Sequence, residues 1–368
     1  MSGSDFDVRV IGLGVMGSAA AYHLARRGLR VLGQEQFGPA HDRGSSHGLS
    51  RVIRQAYFEH PDYVPLVLRA YELWENLERE SGRSLLRKTG ALMIGRPECA
   101  VVQGSRKSAE LHRLRHRMMS AEEVRSRFPV LRLRDDEVAL EEFDAGVLQA
   151  EESVRAMQEL AARHGAELQF GVQARLDERR APKTVVTAGG WIRDLVPGLP
   201  LQGERQVLHW FDPQGDESRI PLYLWDRDGR PFYAIPDVHR HGLGMKVAFH
   251  HHGETASPHD LRRDVEPAEI EEMRRRLSET VPSQAGAHRK SAVCLYTNTP
   301  DEHFLLGALP GNADLVLASP CSGHGFKFAP VMGEILADLV QQGRTRHPVG
   351  LFSPDRFGGG LAKVGGGS

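Results

Sequence analysis

V-R-V-I-G-L-G-V-M-G, residues 8–17, sets a glycine fingerprint directly after a short apolar run and directly before an alanine-rich stretch, Ser18 to Arg27. Strand, glycine turn and helix in that order form the cradle of a dinucleotide. Gly12 allows the tight turn off the strand, Gly14 lets the backbone approach a pyrophosphate, and Gly17 lets the helix pack closely on the sheet. The anion would rest on the helix N-terminus, where unpaired N–H groups and the dipole favour negative charge. A second strand is expected over Leu29 to Leu32. Glu35, 23 residues beyond Gly12, has about the spacing of a carboxylate that accepts ribose hydroxyls. An adenine dinucleotide with a free 2′-hydroxyl is therefore expected, and the motif does not separate FAD from NAD.

The chain's 368 residues suit two domains. A net charge of −1 leaves no electrostatic footprint for nucleic acid or an acidic membrane. The opening M-S-G-S-D-F-D lacks a basic region followed by an apolar one, and no apolar run is long enough to span a bilayer, so a cytoplasmic protein is expected. Cys99, Cys294 and Cys321 are far apart and form no C-x-x-C, so neither a disulfide framework nor a metal site is indicated. The glycine-rich ends resemble linker scars.

After the first unit, H-D-R-G-S-S-H-G-L-S-R-V-I-R has the composition of a functional loop entering a helix. Arg51 and Arg54, three apart, would share one face of that helix. Helical spacing covers Pro61 to Glu80, Glu152 to His164 and Pro267 to Thr280, and Ser120 with Glu123 predicts a capping box. Strands are expected at Gly90 to Gly95, Ala166 to Phe170 and Thr184 to Thr187. Between Gln202 and His250, the runs Gln206 to Phe211, Pro221 to Trp225, Pro231 to Ile235 and Gly244 to His250 alternate with turns, as in an antiparallel sheet. A final strand, Leu315 to Ala318, runs through S-G-H-G into a helix from Phe328 to Gln342. The run His250-His251-His252 is a polar strand end, since consecutive side chains alternate between faces.

With these pieces placed, the chain resembles the family of monomeric sarcosine oxidases and N-methyl-tryptophan oxidases, across most of residues 5–357. The resemblance is carried by G-S-S-H-G-L-S-R-V-I-R (44–54), the segment around Y-V-P-L-V-L-R-A, C-L-Y-T-N-T-P-D-E-H-F (294–304) and S-G-H-G-F-K-F (322–328). It implies an α/β protein with an α+β catalytic part, in which a glutathione-reductase-like FAD-binding domain is interleaved with an antiparallel-sheet substrate domain. Residues 5–88, 145–202 and 303–357 would form the first, 89–144 and 203–302 the second, and 358–368 a glycine-rich tail. It further implies FAD held through the sulfur of Cys294, with Cys99 and Cys321 structural.

The same resemblance assigns roles. Arg54 would clamp the substrate carboxylate and Lys327 share it, a planar fork completed by a point charge. His47 and Arg51 fall beside the flavin, and Lys246 matches a lysine that activates dioxygen, although a strand lysine is by itself more often an edge residue pointing to solvent. His250, on the same strand face as Lys246, matches a histidine near the substrate; Tyr233 and Tyr296 match tyrosines lining the pocket. Gly189 in T-A-G-G-W, with Gly323 and Gly325 in the last turn, would contact the cofactor. Leu224 stands where sarcosine oxidases carry a methionine. A strand-rich excursion usual after Phe170 is missing, with only G-V-Q-A-R-L-D-E-R-R-A-P-K in its place.

The activity implied is FAD-dependent oxidation of secondary amino acids such as sarcosine or N-methyl-tryptophan. An imine forms and is hydrolysed to amine and aldehyde, and dioxygen becomes hydrogen peroxide. A monomer acting on a small amino acid is expected, with no nucleic acid, membrane or metal. The alternatives are an FAD dehydrogenase with another electron acceptor and a flavin-binding scaffold without turnover.

Overall fold

The computed structural model describes residues 5–178, 180–214, 220–251 and 253–358. The readings of the first four residues, of His252 and of the tail beyond Gly358 lie outside the described residues. Strand β1 (Val8–Ile11) pairs in parallel with β2 (Val31–Glu35) on one side and β10 (Lys183–Val186) on the other. β9 (Glu167–Phe170) extends the sheet beyond β2. β17 (Asn312–Ser319) lies parallel to β10, and β16 (Leu305–Leu309) closes the edge antiparallel to β17. β1 and β2 are buried along their whole length, as in a parallel sheet covered on both faces, and the polar side chains they carry, Arg9, Gln34 and Glu35, are hydrogen-bonded.

Helix α1 (Val15–Arg26) packs on this sheet with α2 (Tyr63–Ser81), α5 (Ala150–Arg163) and α8 (Ala329–Gln342), which share one apolar core. The last helix starts one residue later than its sequence suggests, because Phe326–Phe328 form a turn of 3-10 helix ahead of it.

A second sheet of eight strands runs β15 (His288–Asn298), β11 (Gln202–Phe211), β14 (Met245–Phe249), β13 (Arg230–Ile235), β12 (Tyr223–Arg227), β5 (Ala91–Gly95), β7 (Val138–Glu142) and β6 (His116–Ser120). Every pairing is antiparallel except that of β12 with β5. One face, with Phe211, Tyr223, Trp225, Phe232 and Val247, packs against Met273 and Leu277 of α7 (Pro267–Thr280). The opposite face carries Leu208, Leu224, Tyr233 and Ala248, one from each strand in turn by the period of two, and looks toward the first sheet. Helix α3 (Ala100–Leu111) lies over β5 and β7, and the capping box of Ser120 and Glu123 starts α4 (Ala121–Arg127) as expected. Helix α6 (Ile192–Leu195) is a short continuation of the T-A-G-G-W turn.

The segment expected to enter a helix forms a strand instead. β3 (Ser50–Ile53) pairs antiparallel with β8 (Gly146–Gln149), which also takes β4 (Leu86–Lys88) on its other side. β-branched Val52 and Ile53 favour the pleated surface, so the three-residue spacing of Arg51 and Arg54 does not put them on a common helical face. Between β9 and β10 the described residues contain no strand, in keeping with the missing excursion.

Candidate active site

The turn after β1 builds the cradle. Gly12 sits at φ +88°, and a Cβ there would approach Ala188 to 2.8 Å; a Cβ on Gly17 would collide with the Gly12 carbonyl at 1.7 Å. Gly14 differs: among the described residues an added Cβ would meet only Ser46 Oγ, at 3.5 Å. The protein itself therefore tolerates bulk at Gly14, and the glycine keeps open the cavity that it lines. The first turn of α1 holds no acidic residue, leaving its positive end available to an anion. Glu35 is buried and accepts the backbone N–H groups of Leu13 at 2.8 Å and Phe37 at 3.0 Å. Burial opposes its ionisation, but His41 and these N–H groups outweigh it and hold the carboxyl below its usual range. This donor set fits FAD: a glycine turn and helix end for the pyrophosphate, a carboxylate for the ribose, and an apolar cavity beyond.

That continuous cavity, about 240 Å³, runs from Gly12 and Glu35, past Gly189 and Gly323, to the open face of the second sheet. Gly323, at φ +74°, presses so closely on Tyr296 that a Cβ would stand 2.5 Å from its ring, and a Cβ on Gly325 would overlap the Pro320 carbonyl. Both glycines line the cavity. The sheet contributes Leu224, Tyr233, His250, Cys294 and Tyr296. His250 Nδ1 lies 3.4 Å from Tyr296 Oη. Burial keeps the His250 imidazole neutral and pushes the Tyr233 phenol up to about 12. Cys294 is 3% exposed and, on β15, opposes Gln206 of β11. Cys321, expected to be merely structural, also lines the cavity, its thiol pushed by burial to about 11.

The polar end of the cavity is a buried cluster. Arg54 Nη2 meets both carboxylate oxygens of Glu59 at 2.7 Å, Nη1 donates to the Ala56 carbonyl at 3.0 Å, and the guanidinium packs on the rings of Tyr57 and Phe58. Lys327 Nζ donates to the His324 carbonyl at 2.7 Å and reaches Tyr57 Oη at 3.4 Å. Tyr57 Oη in turn bonds His324 Nδ1 at 2.6 Å. Burial, then repulsion from Arg54, lowers the Lys327 ammonium to about 7. Burial works against Glu59, but Arg54, His324 and Lys327 overcome it and bring its carboxyl down to about 2. Tyr57, Glu59 and His324 were not foreseen from the sequence; an acid five residues after Arg54 was the available signal for Glu59.

Two expected residues stand apart. Lys246 is 1% exposed on a central strand, not an edge, so the solvent-facing alternative fails. Its Nζ donates to the carbonyls of Gly48 at 3.0 Å and Ser50 at 2.5 Å. It faces a small crevice of about 10 Å³ with Trp210, Ile235 and Leu243 rather than the main cavity, whereas His250, expected on the same strand face, follows the end of β14 and lines the main cavity. Burial and the charge of Arg51 draw its ammonium well below the ordinary lysine range. His47 is also buried outside the lining; its Nε2 has no hydrogen-bond partner among the described residues, and burial followed by Arg51 lowers it to about 4. Arg51 lines the cavity, donating to the Ser45 and Ser50 carbonyls at 2.9 and 2.8 Å.

Comparison with known proteins agrees with this geometry. The sequence profile of FAD dependent oxidoreductases matches residues 7–339. The chain is 46% identical to a monomeric sarcosine oxidase of Streptomyces avermitilis, over 96% of this chain and 98% of that protein. It is 35% identical to a monomeric sarcosine oxidase of Bacillus sp. strain NS-129, over 95% and 97% of the two chains. With an N-methyl-L-tryptophan oxidase of Escherichia coli O157:H7 the identity is 33%, over 96% and 99%. In fold it is similar to NikD, an unusual amino acid oxidase, at TM-score 0.83 and 23% identity, covering 95% and 97% of the two chains. L-proline dehydrogenase from P. horikoshii superposes at TM-score 0.82 with 22% identity, covering 96% and 98%. No helix among the described residues is long and apolar enough to cross a membrane. The chain therefore belongs to the FAD-dependent oxidoreductases, within the family of the monomeric sarcosine oxidases and N-methyl-L-tryptophan oxidases.

Proposed function

We propose that this chain oxidises N-methyl amino acids such as sarcosine or N-methyl-tryptophan. One N-methyl amine, one dioxygen and one water give one primary amine, one aldehyde and one hydrogen peroxide. FAD, when bound, supplies the electron acceptor for the C–N bond. The observation that carries the reading is the pairing of Arg54 with Lys327 at one end of a cavity whose other end is the glycine cradle. A substrate carboxylate there would meet a guanidinium fork and an ammonium. Before it arrives, Glu59 balances the buried guanidinium, which alone would be strongly destabilising. Docking thus requires Arg54 to share or exchange Glu59. Leu224, Tyr233 and the His250–Tyr296 pair border the space left for the amine and its substituents and exclude water from it.

Lys246 is the residue assigned to dioxygen activation, and Cys294 to the covalent flavin link. The interleaved FAD-binding and substrate domains, a monomeric state and a cytoplasmic location complete the proposal. Its test is hydrogen peroxide formation in air with sarcosine and N-methyl-L-tryptophan, which should occur with at least one of them. In the same sample, yellow colour should stay with the acid-precipitated protein and move to the supernatant in a Cys294→Ala variant.

One observation favours a second reading, an FAD dehydrogenase passing electrons to another acceptor: the Lys246 ammonium is tied to two carbonyls outside the main cavity. The oxidase reading requires Lys246→Met to slow flavin reoxidation by dioxygen at least about tenfold while anaerobic reduction stays nearly intact, the size of effect a preorganised charge exerts. Unchanged reoxidation would favour the dehydrogenase.

A further inference from the structure

Glu142 ends β7, fully buried, in register with Ala91 of β5 and His116 of β6. Its carboxylate does not reach into the cavity lining. Instead its two oxygens each accept one backbone N–H, Oε1 from Gln55 at 2.6 Å and Oε2 from Ala56 at 2.8 Å. Those two amides immediately follow Arg54. The stretch from Arg54 to Pro61 belongs to no strand or helix, yet it carries Arg54, Phe58 and Glu59 into the cavity. A segment without its own ladder takes its place from side-chain ties, and this carboxylate ties two consecutive residues of it to the second sheet.

We propose that Glu142 is a positioning residue for substrate binding: by holding the Gln55 and Ala56 amides it sets where the Arg54 guanidinium stands. The inference rests on the reading of Arg54 as the carboxylate clamp. Its sign separates position from charge. Above about pH 7 Glu142 is ionised, and its charge acts on Arg54 and also supports the Lys327 ammonium; with Lys327 replaced by methionine, removing the Glu142 charge alone would tighten an anion on the permanently charged Arg54 guanidinium. A glutamine has the same length but one acceptor oxygen. It leaves one of the two amides opposite an NH2 group, and the turn must shift. Loss of position therefore weakens anion binding, against the electrostatic trend.

The experiment uses the holoenzyme at pH 8, above the value of about 7 to which burial raises the Glu142 carboxyl, in a Lys327→Met background, where Glu142 acts on a bound anion only through position and through its own charge. Acetate binding is followed through the flavin spectrum, with kcat and KM measured for the N-methyl substrate. Glu142→Gln should raise the acetate Kd and the KM at least about fivefold and leave kcat within about twofold, as expected when a buried amide loses its partner. Unchanged or tighter acetate binding in the folded variant overturns the proposal. Should Glu142→Gln not fold, Glu142→Asp, which keeps both acceptors but withdraws them by one methylene, is read by the same criterion. Arg54→Lys distinguishes the two layers. If it weakens acetate while Glu142→Gln does not, only the positioning role falls; if it leaves acetate binding unchanged, the carboxylate reading itself falls.

Discussion

Lys327 is the residue whose chemistry depends most on its surroundings. Its ammonium is 5% exposed and sits near Arg54, and burial and that repulsion lower it to about 7. A carboxylate binds the charged form, which dominates below that value and is lost above it. The acetate Kd of the holoenzyme should thus be flat on the acid side and rise above about pH 7, approaching tenfold per unit. Protonation of Glu142 near the same value acts in the same direction, so Lys327→Met should reduce the slope without abolishing it. A Kd independent of pH between 6 and 9 would contradict the role given to Lys327. At this scale the sequence was informative about the cations and silent about their counter-charge. Arg54 and Lys327 stand in motifs whose pattern can be matched. Glu59 and Tyr57 acquire meaning only when the segment after β3 folds back on the guanidinium and His324 closes over it.

Among the elements, the short connection from β9 to β10 is held by an unusual device. Arg9, in the middle of β1 and 1% exposed, donates through Nε to Gln34 at 2.7 Å. Its Nη1 donates to the carbonyls of Arg175 at 2.7 Å and Glu178 at 2.9 Å. Gln34 continues the tie to Gln169 of β9 at 2.9 Å. The connection carries Val172, Gln173 and Ala174 into the cavity lining beside Glu35, so Arg9 fixes part of the wall at the Glu35 end. Arg9→Leu should cost about 2–4 kcal/mol of stability, the loss of charge-assisted bonds to carbonyls. It should also raise the FAD dissociation constant at least about tenfold in a Cys294→Ala background, measured by flavin fluorescence on dilution. Full FAD retention in that double variant would show that the connection needs no such clamp.

α1, α2 and α7 were legible because their apolar periods are long and their neighbours are turn residues, whereas β2, expected over Leu29 to Leu32, runs Val31–Glu35 because its polar end, Gln34 and Glu35, is buried and hydrogen-bonded. β3 was misread because an i, i+3 pair of arginines fits a helix face as well as a strand that ends just before the second of them. α3 escaped because its sequence, with Gly104 inside, is a poor helix by propensity. That glycine is required by packing, since a Cβ there would stand 2.3 Å from the Phe58 carbonyl.

For the whole molecule, the decisive feature is that the cavity lies between two sheets of different kinds. The parallel sheet presents the turn after β1, and the antiparallel sheet presents alternate side chains of β12, β13 and β15. Neither sheet alone makes the site, and no local pattern in the chain reveals that they meet. The matched motifs implied the meeting; the register of β11, β13, β14 and β15 shows how period-two alternation brings Leu208, Tyr233, Ala248 and Cys294 to one surface. The central claim is that this surface offers an N-methyl amino acid to the flavin while Arg54 and Lys327 hold its carboxylate. It is tested most directly by mixing the purified holoenzyme anaerobically with sarcosine and with N-methyl-L-tryptophan and following the visible flavin band. The account predicts bleaching with at least one of them, and, in an Arg54→Met variant, a substrate concentration for half-maximal bleaching higher by about thirtyfold or more, as loss of a buried charge contact demands. A flavin band unchanged by any N-methyl amino acid, or bleaching indifferent to Arg54, would contradict it.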